Sequence, residues 1–182
     1  MSDSETSIPN SPVFYACTAA TPDGPPIEIA WVTRACGTYG VICESRLIQP
    51  SAAWISDLVR DASVLRPYAL TLADLRDFGM SPRELAARMN EVLADRELFS
   101  AVPEDDARLR KIFDAANSAP AFTLRRSDAD ALITELAQML RLSQPTIARA
   151  KREAGVMCLT GVRAEAKARF LVTYWDFIAT RN

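Results

Sequence analysis

Residues 13–32 read VFYACTAATPDGPPIEIAWV. Val13 to Cys17 is a short apolar run with aromatic and β-branched side chains, which suits a buried strand. Thr21-Pro22-Asp23-Gly24-Pro25-Pro26 is a turn signal. Ile27 to Val32 alternates in polarity and predicts a second strand returning beside the first. Gly37 and Gly40 bracket a further turn, and Val41 to Ile48 predicts a third strand that stops at Pro50. Three consecutive strands on short turns predict an antiparallel meander.

Beyond the meander the period lengthens. Pro50 to Ser56 reads as a loop presenting Trp54 as an exposed contact. Thr71 to Phe78 predicts a short helix capped by Gly79. Ser81-Pro82-Arg83-Glu84 is a capping box with proline at the first helical position. After it, Leu85, Met89, Val92 and Leu93 share one helical face. Leu98-Phe99 and Phe122 to Leu124 predict two single strands, with a helix from Asp105 to Ala116 between them. Three helices follow: Ser127 to Leu140 with Asp130 at the box position, Gln144 to Ala154 ended by Gly155, and Ala164 to Ile178. The alternation predicts an α/β fold with a mixed sheet of about five strands and flanking helices.

The chain has 182 residues, 49% of them hydrophobic, with a formal net charge of -2. That suits one domain, read as 12–182, behind a polar leader at 1–11. The leader has no basic or apolar signal region, and no apolar run is long enough to span a bilayer. The expectation is a cytoplasmic protein without membrane contact. There is no histidine, which removes imidazole bases, imidazole metal ligands and the Ser-His-Asp triad. Cys17, Cys36, Cys43 and Cys158 have no C-x-x-C spacing, so reduced and mostly buried thiols are expected.

The order and spacing of four segments resemble the DEDD-type 3′–5′ exonucleases, the ribonuclease T and proofreading-subunit group on the ribonuclease H-like fold. The segments are VFYACTAATPDGPPIEIAWV (13–32), CESRLIQP (43–50), LFSAVPEDD with FDAA (98–116), and VRAEAKARFLVTYW (162–175). Members carry D-x-E on the first strand, an aspartate opening the helix after the fourth strand, and H-x-x-x-x-D entering the last helix. Those types suit two Mg²⁺ or Mn²⁺ ions roughly 4 Å apart that clamp the attacking and leaving oxygens, with histidine as general base.

On this chain the resemblance places the first aspartate on Ala16 and the glutamate on Thr18. The second aspartate falls on Asp105, or on Asp106 with the gap moved by one. The histidine and last aspartate fall on Val162 and Lys167, or in a second register on Cys158 and Arg163. A frequent histidine after the third strand falls on Tyr68. One acid of four survives, so the resemblance implies a pseudo-exonuclease without the metal pair and without a catalytic set.

What replaces catalysis stays open at this level. Lys167 or Arg163 could hold a nucleotide phosphate in place of a metal. Arg125-Arg126 and the Arg149, Lys151, Arg152 group are further basic patches, with Phe122 the one close aromatic. The competing readings are an interaction or oligomerisation protein that keeps only the fold, and an active 3′–5′ exonuclease with a relocated metal site. A homodimer is an expectation from the resemblance. Glu104 to Asp106 reads as the acidic first turn of a helix, complementing its dipole, in preference to a replacement metal cluster with Asp23 and Glu28. Glu28 reads as a solvent-facing or sheet-edge residue, and Tyr15 and Tyr174 as packing residues.

Overall fold

The computed structural model describes residues 12–34, 40–125, 128–158 and 161–180. Five strands form one sheet: β1 (Val13–Ala19), β2 (Pro26–Arg34), β3 (Val41–Leu47), β4 (Glu97–Phe99) and β5 (Thr123–Arg125). Their order is β3-β2-β1-β4-β5. The first three are antiparallel, with Ala16 opposite Ala30 and Thr18 opposite Glu28. β4 and β5 run parallel to β1 and to each other. The sequence-predicted turn at Gly37 and the leader at 1–11 lie outside the described residues.

The period-2 alternation of β1 divides the core. Val13, Tyr15 and Cys17 face one side, where Leu85 and Met89 of α3 (Pro82–Leu93) pack with Leu109, Ile112 and Phe113 of α4 (Pro103–Ala116). Phe14 and Ala16 face the other, against α5 (Ala129–Met139), α6 (Gln144–Met157) and α7 (Ala164–Ala179). Phe14 sits between Phe99 and Trp175, with ring centroids 6.5 and 6.1 Å away. No described helix is long and apolar enough to cross a membrane.

Both capping boxes close locally. Thr71 and Asp74 cap α2 (Leu72–Asp77), and Ser81 and Glu84 cap α3. The Ser81 hydroxyl accepts from the Glu84 N–H at 3.3 Å while Glu84 reaches back to the Ser81 N–H. Ser81→Ala is expected to lower the urea midpoint by the equivalent of about 1 kcal/mol. An unchanged midpoint would show that the box is redundant with packing.

Four expectations are corrected. Residues 52–60 are α1 (Ala52–Arg60), followed by a 3₁₀ turn at Ala62–Tyr68, where a loop at 50–56 was expected. Trp54 is half-buried against the α3–α4 side of the core, because α1 turns its ring inward. The cap of α5 is Asp128, whose carboxylate accepts from the Ala131 N–H at 3.2 Å. Ser127, the expected opening residue, lies outside the described residues. α6 runs through Gly155 to Met157. A mid-helix glycine costs only about 1 kcal/mol, and Ala150 and Ala154 are fully buried in the core with α7.

Candidate functional site

β4 pairs with β1 only at Val13 and Phe14. The carboxyl-terminal half of that edge of β1 is therefore left to the first turn of α4. There Asp105 is 2% exposed and Asp106 is 9% exposed, while Glu104 is exposed. The expected acidic first turn is there, and it is solvated only at Glu104 because the helix end abuts the strand.

The two aspartates serve different sides of the sheet. The Tyr15 hydroxyl donates to Asp106 Oδ1 at 2.5 Å, on the side away from α7. Burial and this carboxylate push the Tyr15 hydroxyl far above its ordinary pKa. Tyr15 is a packing residue that also anchors α4. Asp105 instead lines a cavity of about 350 Å³ with Ala16 and Lys167. Ala101, Val102, Gly161, Ala166, Phe170 and Leu171 complete its walls.

Asp105 accepts from Arg108 Nη1 at 2.9 Å and from the Cys17 backbone N–H. Burial raises its pKa from the ordinary 3.8 to about 6, and Arg108, the Cys17 N–H and Lys167 only partly oppose that rise. Arg108 in turn reaches the Pro22 carbonyl, and Lys111 Nζ donates to the Asp23 carbonyl at 2.7 Å. The first turn of the meander is thereby tied to α4. The Cys17 thiol is fully buried beside these charges, and its pKa is raised by desolvation. Cys43 and Cys158 are half-buried free thiols, and Cys36 lies outside the described residues. The Cys158 thiol approaches the Thr173 hydroxyl at 3.4 Å.

Ala16, Asp105 and Lys167 therefore converge, and Thr18 lies one pleat further along β1 on the Ala16 side. The Thr18 hydroxyl donates to the Val162 carbonyl at 3.4 Å. Val162 contributes its backbone there while its side chain is 53% exposed. Lys167 is exposed at the cavity, and its ammonium has no hydrogen-bond or ion-pair partner among the described residues, although its charge acts on Asp105.

Arg163, the other candidate cation, is engaged elsewhere. Its Nε and Nη2 donate to Glu28 at 2.7 and 3.0 Å, and its Nη1 donates to the Tyr68 carbonyl at 3.2 Å. Glu28 also accepts from the Ala164 N–H at 2.9 Å and the Ser45 hydroxyl at 2.9 Å. The expectation of a solvent-facing Glu28 is overturned: it is 2% exposed, on the strand directly opposite Thr18. Its carboxylate caps the amino end of α7, where backbone N–H groups need acceptors. The sequence offered no local sign of this, since the partners are 135 and 136 residues apart.

The remaining basic candidates stand away from the cavity. Arg125 lies on β5, at the far edge of the sheet, paired with Glu97. Arg126 lies outside the described residues. Phe122 is buried edge-on against Phe113 with centroids 5.5 Å apart, so no base can stack on it. Arg149 and Lys151 pair with Glu153 and Asp130, and Lys151 lies over the Tyr174 ring.

The donor set does not fit a pair of divalent ions. One buried carboxylate is already ion-paired, an ammonium stands beside it, and the Ala16 position offers a methyl. Among the described residues no group of three or more Asp, Glu, Cys or His is placed to hold a metal ion.

No family model and no curated protein matches the sequence. Solved structures do. Over 94% of this chain and 93% of the other, it resembles Exonuclease X in complex with 5′ overhanging duplex DNA, with TM-score 0.52 and 13% identity. The RNase domain of the yeast Pop2 protein matches over 93% of this chain and 77% of that one, with TM-score 0.51 and 9% identity. E. coli Exonuclease I in complex with a dA16 oligonucleotide matches over 69% of this chain, with TM-score 0.50 and 17% identity. The match spans only 29% of that exonuclease chain. At these identities the likeness is one of fold: the chain has the mixed five-stranded α/β sheet with flanking helices of the ribonuclease H-like nucleases.

Proposed function

We propose that this chain is an exonuclease-like protein without hydrolytic activity, which keeps its cleft for binding. One observation carries the reading. The cleft that the resemblance assigns to two-metal chemistry holds Ala16, Lys167 and a single carboxylate ion-paired at 2.9 Å. Hard divalent ions need several carboxylate oxygens, and a lone acid beside two cations supplies too little negative charge. The other buried acid on this side, Glu28, is consumed by Arg163 and the start of α7. That speaks against a relocated metal site.

Purified protein with 5′-labelled single-stranded DNA or RNA is expected to give no trimming in Mg²⁺ or Mn²⁺. Trimming that needs metal and disappears in Asp105→Asn would overturn the reading. A second reading, a nucleic-acid partner in place of a small ligand, is favoured by the fold shared with the oligonucleotide-bound Exonuclease I and by Lys167, whose ammonium has no hydrogen-bond or ion-pair partner among the described residues. On that second reading, with Lys167 the one unpaired cation lining the cleft among the described residues, mobility shifts at two salt concentrations should give a log–log slope of magnitude about 0.7, one single-strand phosphate contact. A slope several times steeper would place the binding surface elsewhere.

A further inference from the structure

The cavity is walled by methyl groups and by Val102, Leu171 and the Phe170 ring, with two charged side chains among them. Asp105 is spent on Arg108 and the Cys17 N–H, whereas the Lys167 ammonium lacks a direct partner among the described residues. About 350 Å³ lies within the size range of small-ligand pockets, which are mostly apolar with a few placed polar groups. A sugar-phosphate chain would set its hydroxyls and successive charges against these hydrocarbon walls, with one cation to answer them.

We propose that the cleft binds a small organic acid with an apolar body: the carboxylate on Lys167, the body against Phe170, Leu171 and Ala16. This rests on the reading that the cleft carries no metal centre. The charge match is one to one. A carboxylate at Lys167 satisfies the ammonium, and the apolar body removes hydrocarbon surface from water on both sides. The face of Phe170 is set by its stacking on Tyr174, with centroids 6.0 Å apart, so the wall is formed before a ligand arrives.

The test is calorimetry on the full chain with 4-phenylbutyrate, its uncharged amide and thymidine 5′-monophosphate. The acid is expected to bind at least tenfold more tightly than the amide and than the nucleotide. Lys167→Met should weaken the acid at least tenfold and leave the amide unchanged. Ala166→Leu, which fills the cavity from α7, should abolish both, while an unchanged thermal midpoint shows that it folds. No binding of the acid, binding indifferent to Lys167→Met, or preference for the nucleotide would each overturn the proposal. These outcomes separate from the nuclease assay. Failure here without trimming leaves catalytic silence standing, and metal-dependent trimming with acid binding intact removes only the silence.

Discussion

Arg163→Met is expected to lower the unfolding free energy by about 3 kcal/mol, read from the urea midpoint at constant slope. The loss comes from Glu28 rather than from the arginine. Glu28 is 2% exposed, and without the guanidinium it is a buried anion with only the Ala164 N–H and the Ser45 hydroxyl. Removing one partner of a buried pair costs about 3 to 5 kcal/mol, and the lower end applies because the Arg163 side chain is 35% exposed and partly screened. Glu28→Gln should cost less, since the half-exposed cation left behind can be hydrated. Glu28→Leu combined with Arg163→Met should recover only part of the loss, because apolar packing often matches a buried ion pair but the Ala164 N–H and the Ser45 hydroxyl then lose their acceptor. If Arg163→Met costs under about 0.5 kcal/mol, the pair behaves as a surface bridge and the anchoring role is wrong.

Stability should also rise on mild acidification, by about 2 kcal/mol between pH 7.5 and pH 4, until other carboxylates begin to protonate. Asp105 is the cause. Its folded pKa of about 6 lies above the ordinary 3.8, so between those values the folded chain holds a proton that the unfolded chain has released. Stability therefore falls as pH rises through this window, and the loss is complete above it. The chain has no histidine, so the usual competing titration between pH 5 and 7.5 is missing. Asp105→Asn should flatten the dependence over that range. A wild-type midpoint that is level from pH 7.5 to 5, or a slope surviving in Asp105→Asn, would show that Arg108 holds the carboxylate ionised after all.

Where sequence reading succeeded, the determinants were local. The alternation in 13–17 and 27–32 sorts side chains between the two faces of the sheet. The box residues Ser81 and Glu84 lie within one turn of each other, whereas the Thr71–Asp74 box of α2 was not read from the sequence. It failed at 52–60, where Trp54, Ile55 and Leu58 carry a helical spacing that the preceding Pro50 and Ser51 masked as a loop. The cleft was partly legible. Asp105 and Asp106 are neighbours in sequence, and only the position of the α4 amino end between β1 and α7 sends one into the cavity and the other to Tyr15.

The division has a physical cause. Strand polarity, the capping box at 81–84 and the absence of histidine follow from residue types and spacings of a few positions, and the sequence alone determined them. Which cation faces the cleft is a matter of competition. Arg163 and Lys167 are four residues apart on the same helix entry, but a buried Glu28 on β2 captures the first and leaves the second beside the cavity. A charge goes to the partner that is least hydrated, and burial is a property of the folded chain.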